Sequence, residues 1–209
     1  MSQLARAGLL GATLVATTVT AITAQADVLG LTARVNASQQ SWEDNHQGSS
    51  SGFQGDLALR LEHPVPLIPN IAVGAERKNQ DFPGDGESVN AELYYELVDL
   101  LDVQFDAGLG AERWTLDNDG IDESDNVYAI GRASIGLPIS SLGIEAELKR
   151  GLDNDSVEHD RRRAGLTYDL VDLIAVSATV AIGYQSEEME LNGTDWESDG
   201  AYLGLEIDL

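Results

Sequence analysis

Val89-Asn90-Ala91-Glu92-Leu93-Tyr94-Tyr95-Glu96-Leu97 places an apolar side chain at every second position, with Asn90, Glu92, Tyr94 and Glu96 between them. Successive side chains of a strand point to opposite faces, so this stretch reads as a strand with one oily and one polar face. The chain closes on the same pattern, with Ala201, Leu203, Leu205, Ile207 and Leu209 alternating with Tyr202, Gly204, Glu206 and Asp208. Ten such segments can be marked, at 28–42, 53–63, 70–79, 88–98, 103–116, 126–137, 143–152, 158–170, 174–186 and 198–209. The connectors at 64–69, 99–102, 138–142 and 171–173 are short, whereas those at 43–52, 80–87, 117–125, 153–157 and 187–197 are longer and acidic. Tight turns on one side and long polar loops on the other are the arrangement of a bacterial outer-membrane barrel, in which an even strand number leaves both termini in the periplasm. The expectation is an all-β fold: a transmembrane up-and-down antiparallel β-barrel of about ten strands in the cell outer membrane.

A soluble barrel with its oily face inward shares the alternation, and the charges separate the two. Arg34, Asp56, Arg60, Glu76, Lys78, Glu92, Asp106, Glu112, Arg132, Glu145, Glu147, Lys149 and Glu206 share the face opposite the Leu, Val, Ile and Ala residues. Packing so many charges into a soluble apolar core is costly unless each is paired. Turned toward a wet or ion-paired lumen, with the oily face toward lipid, they are reasonable.

The first residues differ in kind from the rest. Arg6 precedes an apolar stretch from Ala7 to Ile22, followed by Ala24-Gln25-Ala26. A positive start, an apolar core and a small-x-small site are those of a secretory signal peptide, expected at 1–26 and cleaved before Asp27, leaving one outer-membrane barrel domain at 27–209. Beyond Asp27 no run reaches the 18 apolar residues of a membrane helix. With no cysteine, disulfides and thiolate chemistry are unavailable. The 36 acids against 12 bases give a net charge of −24, which excludes nucleic acid as a natural partner. Solvated acidic loops explain most of that charge; adaptation to a salty habitat is the alternative.

Leu61-Glu62-His63-Pro64-Val65-Pro66-Leu67-Ile68-Pro69-Asn70-Ile71 and the later Leu93-Tyr94-Tyr95-Glu96-Leu97 accompany a start at Ala26-Asp27-Val28-Leu29-Gly30 and an end at Ala201-Tyr202-Leu203-Gly204-Leu205. Together they resemble a family of small proteobacterial outer-membrane β-barrel proteins of unassigned function. The resemblance implies the fold and the location, and carries over no catalytic or binding residue. The final alternation also resembles the C-terminal signal read by the outer-membrane assembly machinery, with Leu209 where an aromatic residue is usual. The prolines act as punctuation, since each fixes φ and withholds a ladder donor.

Catalysis has little to start from. His46 lies in the first long loop, His63 at the first turn and His159 at the entry to strand eight. Asp44 with His46 and His159, or Ser156 with His159, are the combinations that an outer-membrane protease or lipid A-modifying enzyme would need. A loop histidine among acids is more often a solvated side chain than a base, so no enzyme, catalytic residue or cofactor is expected. Asp117-Asn118-Asp119-Gly120-Ile121-Asp122-Glu123-Ser124-Asp125 resembles the front of a calcium loop, but lacks a glycine at the sixth and a glutamate at the twelfth position. No specific metal site is expected, only weak collective binding of divalent cations by the acidic rim.

Two functional readings remain. About eight strands are filled by side chains and sixteen to eighteen leave an aqueous channel, so ten lie near the filled end. In the first reading the inward charges, joined by Arg161 and Arg163, plug the lumen of a structural or surface-interaction barrel. In the second, Gly74, Gly108, Gly110, Gly165, Gly183 and Gly204 on the lumen face leave a narrow channel for small solutes, although they equally admit bulky neighbours such as Tyr94, Trp114 and Tyr202. Four bases escape the lumen face, Arg77, Arg113, Arg150 and Arg162, each at the extracellular end of its strand. Arginine facing lipid is cheap near the interface and binds phosphate through paired hydrogen bonds. These four are therefore candidate lipopolysaccharide contacts, with pairing to Asp81, Asp117, Asp153 and Glu158 as the alternative. The partners expected are outer-membrane lipid, lipopolysaccharide and the assembly machinery through the last strand.

Overall fold

The computed structural model describes residues 30–44, 49–65, 67–79, 85–100, 102–116, 124–138, 140–152, 157–173, 176–191 and 194–209. They form ten strands: β1 Gly30–Asp44, β2 Ser49–Glu62, β3 Asn70–Asn79, β4 Gly86–Leu100, β5 Val103–Leu116, β6 Ser124–Gly136, β7 Leu142–Leu152, β8 Val157–Leu173, β9 Val176–Leu191 and β10 Thr194–Asp208. The expected leader at 1–26 lies outside the described residues. Each strand pairs antiparallel with its chain neighbours and β1 pairs with β10, so the sheet closes into a barrel and has no free edge. No helix among the described residues is long and apolar enough to cross a membrane; the strands do the crossing.

The period-two pattern sets which way each side chain points. Val73, Leu93, Leu109, Ile144, Leu166, Ile182 and Leu203 lie between 46% and 63% exposed on the outer face. Phe53 and Tyr184 flank this band toward the loops, and Tyr95, Phe105 and Tyr168 flank it toward the short turns, as aromatic girdles do at the two interfaces. The opposite face is mostly polar, with Trp42, Trp114, Ile130, Met189 and Trp196 among its apolar side chains. The short turns are tied by local bonds: His63 N donates to Asn70 Oδ1 at 3.1 Å, and Val65 N to His63 Nδ1 at 3.2 Å, so His63 helps shape the β2–β3 turn.

β3 and β5 run between the residues expected; β8 continues to Leu173 through the stretch read as a short connector, β4 and β6 begin two residues early, and two further hairpins reach well into stretches read as loops. β1 continues to Asp44 and β2 begins at Ser49, while β9 continues to Leu191 and β10 begins at Thr194, within stretches read as loops. Glu43, Glu188, Glu190 and Glu197 face outward there and suggested loops because they are acidic. Above the bilayer a strand has no need of an oily outer face, so the ladder continues while its outer side chains become charged.

Ala91-Glu92-Leu93-Tyr94-Tyr95-Glu96-Leu97-Val98-Asp99-Leu100 and Ala164-Gly165-Leu166-Thr167-Tyr168-Asp169-Leu170-Val171-Asp172-Leu173 repeat one pattern. Both contain a β-bulge at the same place: the register shifts between Glu96 and Val98 in β4, and between Asp169 and Val171 in β8. The extra residue leaves two consecutive apolar side chains on the lipid side, Leu97 with Val98 and Leu170 with Val171.

Candidate functional site

The inward positions of all ten strands meet in one polar network, densest in the outer half of the lumen. Near its centre Gln54 Nε2 (β2) donates to Glu76 of β3 at 2.7 Å and to Glu187 of β9 at 2.8 Å. Lys78 Nζ pairs with Glu187 at 2.5 Å and with Glu76 at 3.4 Å. Arg161 of β8 bridges Glu76 at 2.9 Å and Glu147 of β7 at 3.0 Å. Glu147 also holds Arg132 of β6 at 3.2 Å, and Arg132 pairs in turn with Glu92 of β4, which accepts from the Tyr128 hydroxyl at 3.0 Å.

A second arm runs toward the periplasm. Gln185 Nε2 donates to Gln54 and Glu187, and its Oε1 accepts from Arg163. Arg163 grips Asp56 at 2.6 and 3.1 Å, Asn36 of β1 donates to Asp56 at 2.8 Å, and Arg34 donates to Asn36 at 3.2 Å. Arg34 then pairs with Glu145 at 2.5 Å, which also accepts from the Tyr202 hydroxyl of β10 at 2.6 Å. Charges taken out of water are tolerable when each meets an opposite charge and further hydrogen bonds, and this network supplies both.

His159 corrects the sequence reading. It was expected as a solvated side chain at the entry to strand eight, and it is fully buried. Its Nδ1 lies 3.0 Å from Glu112 and 3.3 Å from Lys149 Nζ, and its Nε2 lies 3.7 Å from Glu187. Lys149 pairs with Glu112, and Asn126 Nδ2 donates to the same carboxylate at 2.9 Å. The signal was present: His159 shares the register of Arg161 and Arg163, which the sequence had already placed inside. His46 and Ser156 lie outside the described residues, and Asp44 closes β1.

Above this layer the lumen holds an apolar cluster flanked by the buried Ser88, Ser124 and Ser198. Trp42, Trp114, Met189 and Trp196 form a buried cluster. Lys78 Nζ sits 4.8 Å from the Trp42 ring and 4.7 Å from the Trp114 ring, a cation held between two π faces. The His159 and Trp114 rings meet in a T-shaped arrangement, 5.4 Å between centroids. Sequence reading left Trp42, Met189 and Trp196 in or beside loops, although each extends an inward series (Ser38, Gln40, Trp42; Gln185, Glu187, Met189).

Gly108, Gly110, Gly165 and Gly183 lie close against tyrosines, whereas Gly74 and Gly204 lie against Asn90 and Asn36. A Cβ on Gly108 would stand 2.7 Å from the Tyr94 Cβ, on Gly110 2.6 Å from the Tyr128 hydroxyl, and on Gly183 2.6 Å from Tyr202 Cε1. Of the neighbours expected for these glycines, Tyr94 and Tyr202 are seated and Trp114 is not; Tyr128 takes its place.

Toward the periplasm the packing loosens. A cavity of about 50 Å³ is lined by Arg34, Arg60, Asp106, Arg132, Glu145 and Glu206, among others. It adjoins one of about 160 Å³ whose walls include Ser134, Thr167, Thr179, Ala181 and Gly204. The two share Arg34, Ser134, Glu145 and Glu206.

Outside, the four arginines set apart by the sequence face away from the lumen at the loop ends of their strands. Arg77 pairs with Glu87 at 3.1 Å, Arg113 with Asp125 at 2.6 Å and Arg162 with Glu188 at 3.3 Å, each on the neighbouring strand. Of the acids that the sequence suggests as partners, Asp81, Asp117 and Asp153 lie outside the described residues, and Glu158 takes no part in these pairs. Arg150 is exposed and makes no ion pair among the described residues. The part of the calcium-like stretch at 117–123 lies outside them as well, and Asp125 beside it is held by Arg113.

The chain matches no protein-family model and no curated protein sequence. Solved structures with a similar chain path include neisserial surface protein A, 15% identical, with 84% of this chain and 95% of that one covered and a TM-score of 0.42. The β domain of the Bordetella autotransporter BrkA is 12% identical, with 87% and 99% covered and a TM-score of 0.49. The attachment invasion locus protein Ail of Yersinia pestis is 10% identical, with 86% and 98% covered and a TM-score of 0.32. A closed antiparallel barrel with an oily outer band and a charged interior requires lipid around it and satisfies every ladder bond internally. The chain is an integral outer-membrane β-barrel protein.

Proposed function

We propose that this protein works as a sealed barrel with a structural or surface-interaction role, made with a cleaved leader at 1–26 and inserted by the outer-membrane assembly machinery acting on β10. The observation that carries this reading is the layer joining Lys78, Glu187, His159, Glu112 and Lys149 beneath the tryptophan cluster, all buried. Moving an ion through it means breaking several buried pairs at once, each at a cost of about 3–5 kcal/mol. The family resemblance noted in the sequence supports the fold and the location of this barrel. His159 is fully buried in the lumen with its Nδ1 held between Glu112 and Lys149, which suits a structural partner better than a base acting on substrate. The test is single-channel recording of the refolded protein in planar bilayers: a flat baseline is expected, and stable stepwise conductance would replace the sealed barrel with a narrow channel.

The outer rim is where interaction belongs in this reading. Arg77, Arg113, Arg150 and Arg162 stand at the height of the lipid A phosphates, and each ion pair with Glu87, Asp125 or Glu188 is exposed enough to exchange partners at little cost. The surrounding acids attract divalent cations weakly and collectively.

A further inference from the structure

Six of the seven lumen bases have an ion-pair partner: Arg34, Lys78, Arg132, Lys149, Arg161 and Arg163. Arg60 has none among the described residues, although it is only 8% exposed. Its cross-strand neighbours are Thr32 and Ala72, and the Thr32 hydroxyl is already donated to Asp208 at 2.6 Å. Arg60 Nε, Arg132 Nη1, Asp106 Oδ1 and Glu206 Oε2 are all buried without a hydrogen-bond partner, and all four residues line the same cavity in the periplasmic half of the lumen. Arg34 Nη1 stands 3.7 Å from that Glu206 oxygen, beyond hydrogen-bond reach. Two donors and two acceptors thus lie buried in the walls of one cavity, where leaving them unmet is expensive.

We propose that this vestibule binds a small zwitterion of the free α-amino acid class, its carboxylate on Arg60 and Arg132 and its ammonium on Asp106 and Glu206. The charge balance selects the class. Arg34, Arg60, Arg132 and Arg163 are matched by Asp106, Glu145, Glu147 and Glu206 around the cavity. A simple oxyanion serves the two guanidinium donors and leaves both carboxylate oxygens worse off. A simple cation does the reverse. A solute carrying one charge of each sign satisfies all four atoms and leaves the balance unchanged. The space of about 50 Å³ holds the charged backbone, and the adjoining 160 Å³, walled by Ser134, Thr167, Thr179, Ala181 and Gly204, takes a small side chain. Because the network from Arg163 to Lys78 closes the lumen beyond it, the solute enters and leaves on the periplasmic side.

The arginine Nε–H resonances of the ¹⁵N-labelled barrel in detergent micelles read the site directly, with the Arg60 signal identified by its loss in Arg60→Lys. Glycine, acetate, methylamine and ethylene glycol are titrated in turn. Glycine is expected to shift the Arg60 signal saturably, with each of the other three weaker by roughly tenfold or more because each leaves buried charged partners unmet. Asp106→Asn is expected to weaken glycine while leaving the folded spectrum intact. If acetate matches glycine the site is a plain oxyanion site, if ethylene glycol does it recognises hydroxyls, and if none of the four shifts the signal the vestibule holds water alone. Each of those results overturns the proposal, and the comparison of ligands on the wild-type barrel stands even where a variant fails to refold.

Discussion

Leu31 and Leu209 exchange both of their backbone hydrogen bonds, Leu31 N donating to Leu209 O at 3.2 Å and Leu209 N to Leu31 O at 2.9 Å. The final residue therefore lies in the seam that closes the barrel, and the register continues without interruption from Thr32 opposite Asp208 to Asp44 opposite Trp196. Deleting 201–209 strips β1 and β9 of much of their shared partner and exposes two strand edges to the bilayer, where unmet backbone groups are not tolerated. The truncated chain is expected to show no fast-migrating, heat-modifiable form on electrophoresis. A normal unheated band would mean that closure does not depend on β10.

Lys78 pairs with Glu187 and Glu76 between two tryptophan rings, so Lys78→Met leaves two buried carboxylates short of a cation. Its expected cost is about 3–5 kcal/mol, read as a lower urea midpoint in micelles. Adding Glu187→Gln is expected to recover part of that loss, because the second change removes the stranded charge; a strictly additive pair would show that the two are not coupled. Tryptophan emission follows both transitions, since Trp42 and Trp114 flank Lys78.

Gly110→Ala drives a methyl group into the Tyr128 ring. Overpacking of this kind costs about 1–3 kcal/mol, and Tyr128→Leu in the same chain is expected to relieve most of the added strain. The four unfolding midpoints of this cycle test it: equal effects of the alanine with and without the ring would mean that the glycine is not there to seat the tyrosine.

Changing Arg77, Arg113, Arg150 and Arg162 together to glutamine is expected to lower the melting temperature more in lipopolysaccharide-containing bilayers than in phospholipid alone. Equal losses in both would assign the arginines to Glu87, Asp125 and Glu188 and retire the lipid contact.

The barrel and its inward charges were legible because a period of two leaves no third option for a side chain: Glu92 and Tyr94 point one way only if Leu93 and Tyr95 point the other. Legibility failed where that rule outlived the membrane. Outward glutamates past Ser186 have the composition of a loop, yet Met189 and Trp196 still alternate with them, and a pattern judged by its oily face misses a strand whose oily face has turned inward. Partnership was less legible still. Gln54 and Gln185 attract no notice as residues, and only the closed barrel brings β2 and β9 near enough for Gln54 to sit at the centre of the network. The lone position of Arg60 likewise depends on which strands face each other across the lumen, which no alternation encodes.

The paired bulges at Leu97 and Leu170 have a bearing on how this chain tolerates change in length. Elsewhere within the paired strands the loss of one residue reverses the side chains beyond it in that strand, sending charges into lipid and leucines into the lumen. At these two places the register already carries one residue too many, so that Val98 stands opposite Phe105 and Val171 opposite Ala178 with Leu97 and Leu170 left over. Removing either leucine leaves every remaining residue on its present side and merely trims the lipid belt. The molecule thus carries two frame-neutral joints, one in β4 and one in β8, where a single codon can be lost without turning the barrel inside out.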